Sequence, residues 1–361
     1  MEVLLVFDPI TIQSNSGPYN VKFAPNLLIN FEAIEEGVMH YLVDANVARL
    51  YAKPLASLLS HPYTLLIEAT EENKSIERVI PVIEHLVENK FRRGHVLVAI
   101  GGGIIQDITC FIASTLLRGV EWRFVPTTLL AQADSCIGSK SSINLGTVKN
   151  MLGTFLPPKK IWICPDFLNT LECKDIQSGI GEILKVHAIA GLEAFDLLKQ
   201  DFSKLTSDHA TLLHYIREAL LIKQKYIEVD EFDQGLRNIF NYGHSFGHAI
   251  ESATNFGIPH GVSVTIGMDM ANHIAVMREL LPTKHRDRMH GVLSQNYFDF
   301  KSIPIHLDAM LRALLKDKKN TASKLILILP VGEKAAIQRV SLAPDEAFRS
   351  QCMQFLESIA T

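Results

Sequence analysis

His244, His248 and His260 fall within one short stretch, NYGHSFGHAIESATNFGIPHGVSV, which offers three imidazoles to a metal ion. His244 and His248 are four residues apart, so on a helix they share a face, a spacing that many zinc sites use. Upstream, GIGEILKVH adds Glu182 and Lys185. Zinc accepts both imidazole and carboxylate, and a catalytic site keeps one position open for substrate. Spacing therefore proposes His244 with His248 as a helical pair and leaves Glu182 and His260 as further candidates. A lone histidine is usually a cap, an internal hydrogen-bonding group or a surface residue. Three of them with an acid point instead to a metal-dependent enzyme.

Cations and amides recur in otherwise apolar segments: Lys140, Lys149, Asn150, Lys185, Lys223, Arg237 and Asn241. A lysine in apolar surroundings is unfavourable unless an anion matches it, so the set suggests a substrate with several negative charges. Any one of these lysines taken singly reads more readily as a solvated surface residue than as a site. In HVLVAIGGGIIQD, Gly101, Gly102 and Gly103 follow an apolar strand and precede a helical segment. Glycines there let backbone N–H groups approach a pyrophosphate, although the pattern is not GxGxxG and a plain tight turn stays open. Asp44 and Asn46 end another strand, LVDANV, where doubly wound folds contact a ribose or a base and where a helix cap is the alternative. Glu71 and Lys74, in EATEENKS, read by themselves as a solvated helix start.

The elements needed to hold these residues follow from periodicity. Up to about residue 170, short apolar runs (MEVLLVF, YTLLIEA, HVLVAI, EWRFVPTTLL, KKIWICPDFL) alternate with helix-like segments such as KSIERVIPVIEHLVENK. That rhythm implies parallel strands with covering helices. From about Gly179 the period becomes 3.6, with Leu212, Ile216, Leu220 and Ile227 recurring on one face. The fold class expected is an α/β domain over residues 1–171, Rossmann-like, followed by a mainly helical domain over 172–361. No Pro/Gly/Ser-rich linker separates them, so a close interface with a ligand cleft is expected rather than a tether.

The 361 residues are 47% hydrophobic and 20% charged, values of a folded globular protein with room for two domains. A formal charge of −4 gives no global attraction to nucleic acid or an anionic membrane, so anion binding must be local. The five cysteines have no CxxC pair and fit reduced thiols in a cytoplasm. The start, MEVLLVFDPITIQ, lacks a basic leader and reads as a strand, and no apolar run reaches the roughly 20 residues of a membrane span, so an unexported soluble protein is expected.

Taken together, GGGIIQD, TLLRG, VPTTLLAQADSCIGSK, NLGTVKNMLGTF, GEILK, EVDEFDQGLRNIFNYGHSFGHAIE and the DKK at 317–319 resemble the sugar phosphate cyclase family, and most the branch that makes 3-dehydroquinate. The resemblance runs in order over roughly residues 40 to 330, and the joint occurrence of so many segments is specific. It implies an NAD-binding α/β domain, a helical metal-binding domain and a homodimer. It assigns Zn(II) to Glu182, His244 and His260, which turns His248 from ligand to substrate-facing residue; the same donors also suit Co(II) or iron. The dinucleotide contacts implied are Asp44, Asn46, Glu71, Lys74, Gly102, Gly103, Asp107, Thr127 and Thr128, with Asp134, Lys149, Phe167 and Thr170 nearby.

The substrate implied is 3-deoxy-D-arabino-heptulosonate 7-phosphate, converted to 3-dehydroquinate and phosphate by NAD-dependent oxidation, phosphate elimination, reduction and intramolecular aldol closure. The resemblance places the phosphate among Lys140, Asn150, Asn241, His248 and a lysine of the DKK segment, represented by Lys319, with Arg118 reaching over from the partner subunit. Lys223 and Arg237 match the carboxylate-holding positions, and Lys185 and Asp134 match positions near the substrate hydroxyls. The chain departs from the family pattern at Ser139, Phe240, Val262 and the QDITC helix start. These departures keep in view a cyclase for sedoheptulose 7-phosphate or glucose 6-phosphate. A zinc- and NAD-dependent polyol dehydrogenase and a non-catalytic binding protein are the readings from other classes.

Overall fold

The computed structural model describes residues 7–29, 31, 37–146, 148–316, 320 and 323–360. The chain forms two compact units, one of Met1–Leu171 with Lys223–Phe232 and one of Glu172–Ile222 with Asp233–Thr361. A single cut after residue 171 does not describe this division. Lys223–Phe232 joins the first unit because Gln224 Nε2 donates to the Thr11 carbonyl at 2.9 Å, and Glu231 accepts from Ser14 Oγ at 2.7 Å and the Asn15 N–H at 2.8 Å.

The first unit holds strands β1 (Ile10–Ile12), β2 (Tyr19–Phe23), β3 (Met39–Asp44), β4 (Thr64–Ile67), β5 (Val96–Gly101), β6 (Trp122–Pro126), β7 (Lys140–Leu145), β8 (Val148–Phe155) and β9 (Lys160–Ile163). Seven of them form a sheet in the order β1-β2-β9-β6-β5-β3-β4, parallel throughout except for β1 against β2. Every residue of β5 is buried, the unbroken apolar run of a parallel strand covered on both faces. Helices α1 (Ala45–Leu50), α2 (Ala56–Leu59), α3 (Ile76–Glu88) and α4 (Gly103–Thr115) connect the strands. In α3, Val79, Val82 and Leu86 turn inward at helical intervals.

Chain order reverses between β3 and β5: β4 lies on one side of β3, while β5, β6 and β9 follow on the other. The neighbouring ends of β3 and β5, at Asp44 and Gly101, therefore form the switch point at which open α/β sheets take ligands. The first-strand expectation at the N-terminus falls partly on residues 1–6, which lie outside the described residues; the first described strand is β1. Segment 140–155, read above only as a carrier of site residues, is the antiparallel hairpin β7–β8, packed on α4.

The second unit carries α5 (Cys173–Ala190), α6 (Leu192–Asp201), α7 (His209–Ile227, whose end from Lys223 belongs to the first unit), α8 (His244–Ala253), α9 (His260–Met277), α10 (Thr283–Asn296), α11 (Leu307–Leu315) and α12 (Glu346–Ala360). It also contains an antiparallel pair, β10 (Leu325–Val331) with β11 (Ala336–Leu342), which helical periodicity did not anticipate. From Gly261 to Asn272 every residue of α9 is buried, as in a helix that is core on all faces, and α5, α8, α10 and α12 pack around it. Among the described residues no helix is long and apolar enough to cross a membrane.

Candidate active site

In the first unit, glycines shape the switch point in two ways. A Cβ on Gly101 would lie 2.5 Å from Ile105 Cγ1 and 3.3 Å from Asp44 Cβ, so glycine lets α4 start tight against the strand ends. A Cβ on Gly103, the first residue of α4, would meet nothing within 4 Å. The N-terminal turn of a thirteen-residue helix thus faces open space, a donor set that fits the pyrophosphate of a dinucleotide. Thr127 and Thr128 line the same turn: the Thr127 N–H donates to the Gly101 carbonyl at 2.9 Å, and Thr128 lies beside Gly102. Asp44 does cap α1, accepting the Asn46 N–H at 2.8 Å, and burial raises its carboxyl pKa. Asn46 is exposed next to it.

Lys74 is not a solvated helix start. Only 7% exposed, it donates to Asp107 Oδ2 at 3.1 Å and Asn150 Oδ1 at 2.9 Å, with Glu71 Oε1 at 3.7 Å. Lys149 Nζ lies 3.9 Å from the same Glu71 oxygen. Asn144, which sequence reasoning passed over, ties the group together: its Nδ2 donates to Glu71 Oε1 at 2.9 Å and its Oδ1 accepts the Asn150 N–H at 2.8 Å. Burial pushes the Asp107 carboxyl pKa up even though Lys74 pulls it down.

Lys223 is also buried, bonded to Asp134 Oδ1 and to the Asp134 carbonyl at 2.6 Å. Glu231 anchors the loop that follows; burial works against its charge, but donors from Asn15, Ser14 and Ser139 outweigh it and lower its pKa. Ser139, one of the departures, is buried at this anchor. The Phe167 ring is 1% exposed in the core, edge-on to Tyr51 at 5.0 Å. Thr170 bonds the Tyr51 hydroxyl at 3.0 Å. Lys140 and Arg118 are exposed, Arg118 in a left-handed turn with φ of 66°.

The second unit gathers the metal candidates. One nitrogen from each of His244, His248 and His260 lies within 4.8 Å of the others. Glu182 Oε1 is 3.4 Å from His260 Nε2 and 3.7 Å from His244 Nε2. Ligands about 2.0–2.1 Å from a tetrahedral zinc stand roughly 3.4 Å apart, so Glu182 Oε1 stands near ligand separation from both His244 and His260. The outer nitrogens support the same tautomers: His244 Nδ1 lies 3.3 Å from the Tyr242 carbonyl and His260 Nδ1 lies 3.2 Å from Glu251 Oε2. With a cation bound, both Nε2 atoms would be left to ligate it.

The other carboxylate oxygen, Glu182 Oε2, pairs with Lys185, and both side chains are buried. Burial drives the His244 pKa well down. For His260 burial acts the same way, but Glu182 and Glu251 reverse it and lift the pKa to about 10. The two imidazoles are therefore pushed in opposite directions, His244 toward its neutral form and His260 toward its charged form. His248 is exposed, its ring 5.4 Å from that of His244.

Glycines beside the ligands allow this convergence. A Cβ on Gly181, next to Glu182, would strike the Gly261 carbonyl, and one on Gly261, next to His260, would strike the Ser178 carbonyl. A Cβ on Gly243, next to His244, would lie 2.6 Å from the Val264 carbonyl. Each segment that carries one of these candidates thus meets α9 or α5 backbone to backbone.

Arg237 and Asn241 sit on the short 3-10 helix Leu236–Asn241, Arg237 buried and Asn241 bonded to the Asn238 carbonyl at 3.0 Å. Phe240 holds its ring 5.7 Å from Lys185 Nζ, so this departure touches the corner directly. Val262 is fully buried in α9 and acts on helix packing rather than as a lining residue. Lys319 and the rest of DKK 317–319 lie outside the described residues. Glu251 and Glu231 were missed by motif reading; the spacing of Glu251, seven residues after His244, was the available signal.

A family model described as 3-dehydroquinate synthase N-terminal matches residues 64–178, and one described as 3-dehydroquinate synthase C-terminal matches 179–320. A 3-dehydroquinate synthase of Thermodesulfovibrio yellowstonii is 36% identical over 292 residues, covering 79% of this chain and 81% of that protein. Among solved structures, the 2-epi-5-epi-valiolone synthase of Streptomyces hygroscopicus subsp. jinggangensis 5008, with NAD+ and Zn2+ bound, is 28% identical with a TM-score of 0.80, covering 95% of this chain and 96% of that one. A 2-deoxy-scyllo-inosose synthase complexed with carbaglucose-6-phosphate, NAD+ and Co2+ shares the fold, with a TM-score of 0.81 at 21% identity over 96% of this chain and all of that one.

Proposed function

The chain belongs to the 3-dehydroquinate synthase family, and from that membership we propose that it converts 3-deoxy-D-arabino-heptulosonate 7-phosphate to 3-dehydroquinate and inorganic phosphate. The observation that carries the reading is the corner of Glu182, His244 and His260 with Lys185 buried beside it. When bound, NAD supplies reversible hydride removal from a substrate hydroxyl, and the divalent cation lowers the pKa of that hydroxyl.

The residues of the chain supply the rest. Gly102 and Gly103 offer backbone N–H groups to the pyrophosphate, while Asp44 and Asn46 are assigned to the ribose and base end. Glu71, Lys74, Asp107 and Lys149 form one charged network with Asn150, which holds these groups in place for the cofactor. Glu182, His244 and His260 are assigned to the cation, Zn(II) or Co(II). Lys140, Asn150, Asn241 and His248 are assigned to the substrate phosphate, together with Arg118 of the partner subunit in a homodimer. Arg237 and Lys223 are assigned to the substrate carboxylate, a role suited to the planar guanidinium fork. Lys185 and Asp134 are assigned to the substrate hydroxyls. A cytoplasmic location completes the proposal.

Purified protein supplied with NAD and Zn(II) should release inorganic phosphate from 3-deoxy-D-arabino-heptulosonate 7-phosphate without net accumulation of NADH. Failure to release phosphate under those conditions sinks the assignment. Release from sedoheptulose 7-phosphate or glucose 6-phosphate instead would reassign the substrate while keeping the corner.

A further inference from the structure

Glu251 lies outside every ligand assignment, yet it makes a polar contact to a ligand from outside the cluster. Its Oε2 is 3.2 Å from His260 Nδ1, on the side of the ring opposite the Nε2 atom that faces Glu182. Its side chain is only 14% exposed. The two residues come from different helices, Glu251 from α8 and His260 from the first position of α9. Their separation is set by close backbone packing, since a Cβ on Gly247 of α8 would lie 3.1 Å from Val264 N and Cα of α9.

The corresponding outer nitrogen of His244 has a neutral partner, the Tyr242 carbonyl at 3.3 Å. The two imidazoles are therefore inequivalent. A carboxylate on the far nitrogen holds the Nδ1–H tautomer, fixes the ring and makes Nε2 a stronger donor than a carbonyl does.

We propose that Glu251 is a positioning residue for the cation: through His260 it sets the orientation and donor strength of the corner without itself becoming a ligand. This rests on the reading that Glu182, His244 and His260 hold a divalent cation. Loss of such an outer partner typically weakens metal affinity by about 10-fold to 100-fold.

The test is competition of the metal-free protein against a chromophoric chelator with Co(II) as the probe, following the visible spectrum of the bound ion. Glu251→Ala should weaken Co(II) binding by about 10-fold to 100-fold and alter the spectrum. Glu251→Gln, whose amide oxygen still accepts from Nδ1 but carries no charge, should fall between it and the native protein. Excess cation should restore turnover to Glu251→Gln. Thermal melts of the metal-free proteins separate this from unfolding. Native affinity and an unchanged Co(II) spectrum in both folded variants would overturn the proposal. A native protein that binds no Co(II), or a Glu182→Ala variant that binds it as tightly as the native protein, would instead overturn the metal reading on which it rests.

Discussion

The proposed dinucleotide cradle of the first unit and the proposed metal corner of the second both depend on glycine, but glycine does opposite work in them. At Gly103 a side chain would enter open space, whereas at Gly181 and Gly261 it would collide with backbone of a neighbouring helix. In the cradle the missing side chain leaves room for a ligand. In the corner it removes distance between helices so that Glu182, His244 and His260 can converge. The first use belongs to binding and the second to packing, and substitution should separate them.

The largest effect is expected at Gly261. Gly261→Ala should destabilise the protein by about 3 kcal/mol or more, because the colliding atom is the Ser178 carbonyl rather than a flexible side chain, and the zinc content should fall with it. Gly103→Ala should leave the thermal midpoint nearly unchanged and weaken NAD binding by about 1–2 kcal/mol, the worth of one or two hydrogen bonds. Denaturant unfolding and NAD titration of the two variants decide the matter. A stable Gly261→Ala protein with full zinc would break the comparison.

Next come two of the buried lysines, Lys223 of the first unit and Lys185 of the second. Lys223→Met removes the buried cation beside the Asp134 carboxylate and should cost about 3 kcal/mol whether or not Zn(II) is added. Lys185→Met removes the buried cation beside Glu182, whose charge the metal would match, so its loss of stability should shrink on adding Zn(II). Thermal melts with and without the metal read this directly. Equal zinc dependence in both variants would remove the distinction.

A smaller effect is expected at Phe240, whose ring lies over Lys185. Phe240→Leu should lose about 0.5–1 kcal/mol of cation–π attraction, seen as a few-fold rise in KM with zinc affinity unchanged. The smallest is the acid limb. Glu231 has a folded pKa below its ordinary 4.5, so its contribution is present above that value and is lost as pH falls through the folded pKa. Glu231→Gln should therefore flatten the decline of the thermal midpoint below about pH 4.5, leaving it little changed in slope above that. An equally steep decline would show that the anchor adds nothing.

The two regions also differed in how far they could be read from the chain. Strand β5 and the start of α4 were legible in HVLVAIGGG because a buried parallel strand is a continuous apolar run and the glycines follow it without interruption. The corner was harder. Helical spacing favoured His244 with His248, four apart on α8, whereas the oxygen that stands at ligand separation from His244 and His260 belongs to Glu182 on α5. No periodicity links residues so far apart in the chain, and the link came only through resemblance to a family.

Sequence alone therefore determined the residue types, the parallel α/β character of the first part and the helical character of the second. Tertiary structure alone decided that Lys74 and Lys223 are buried in polar networks, that the Phe167 ring is core and that Glu251 stands behind His260. The physical reason is range. Periodicity and turn chemistry act over a few residues, while burial, ion pairing and the choice of a histidine's partner are set by segments that meet only after the chain has folded.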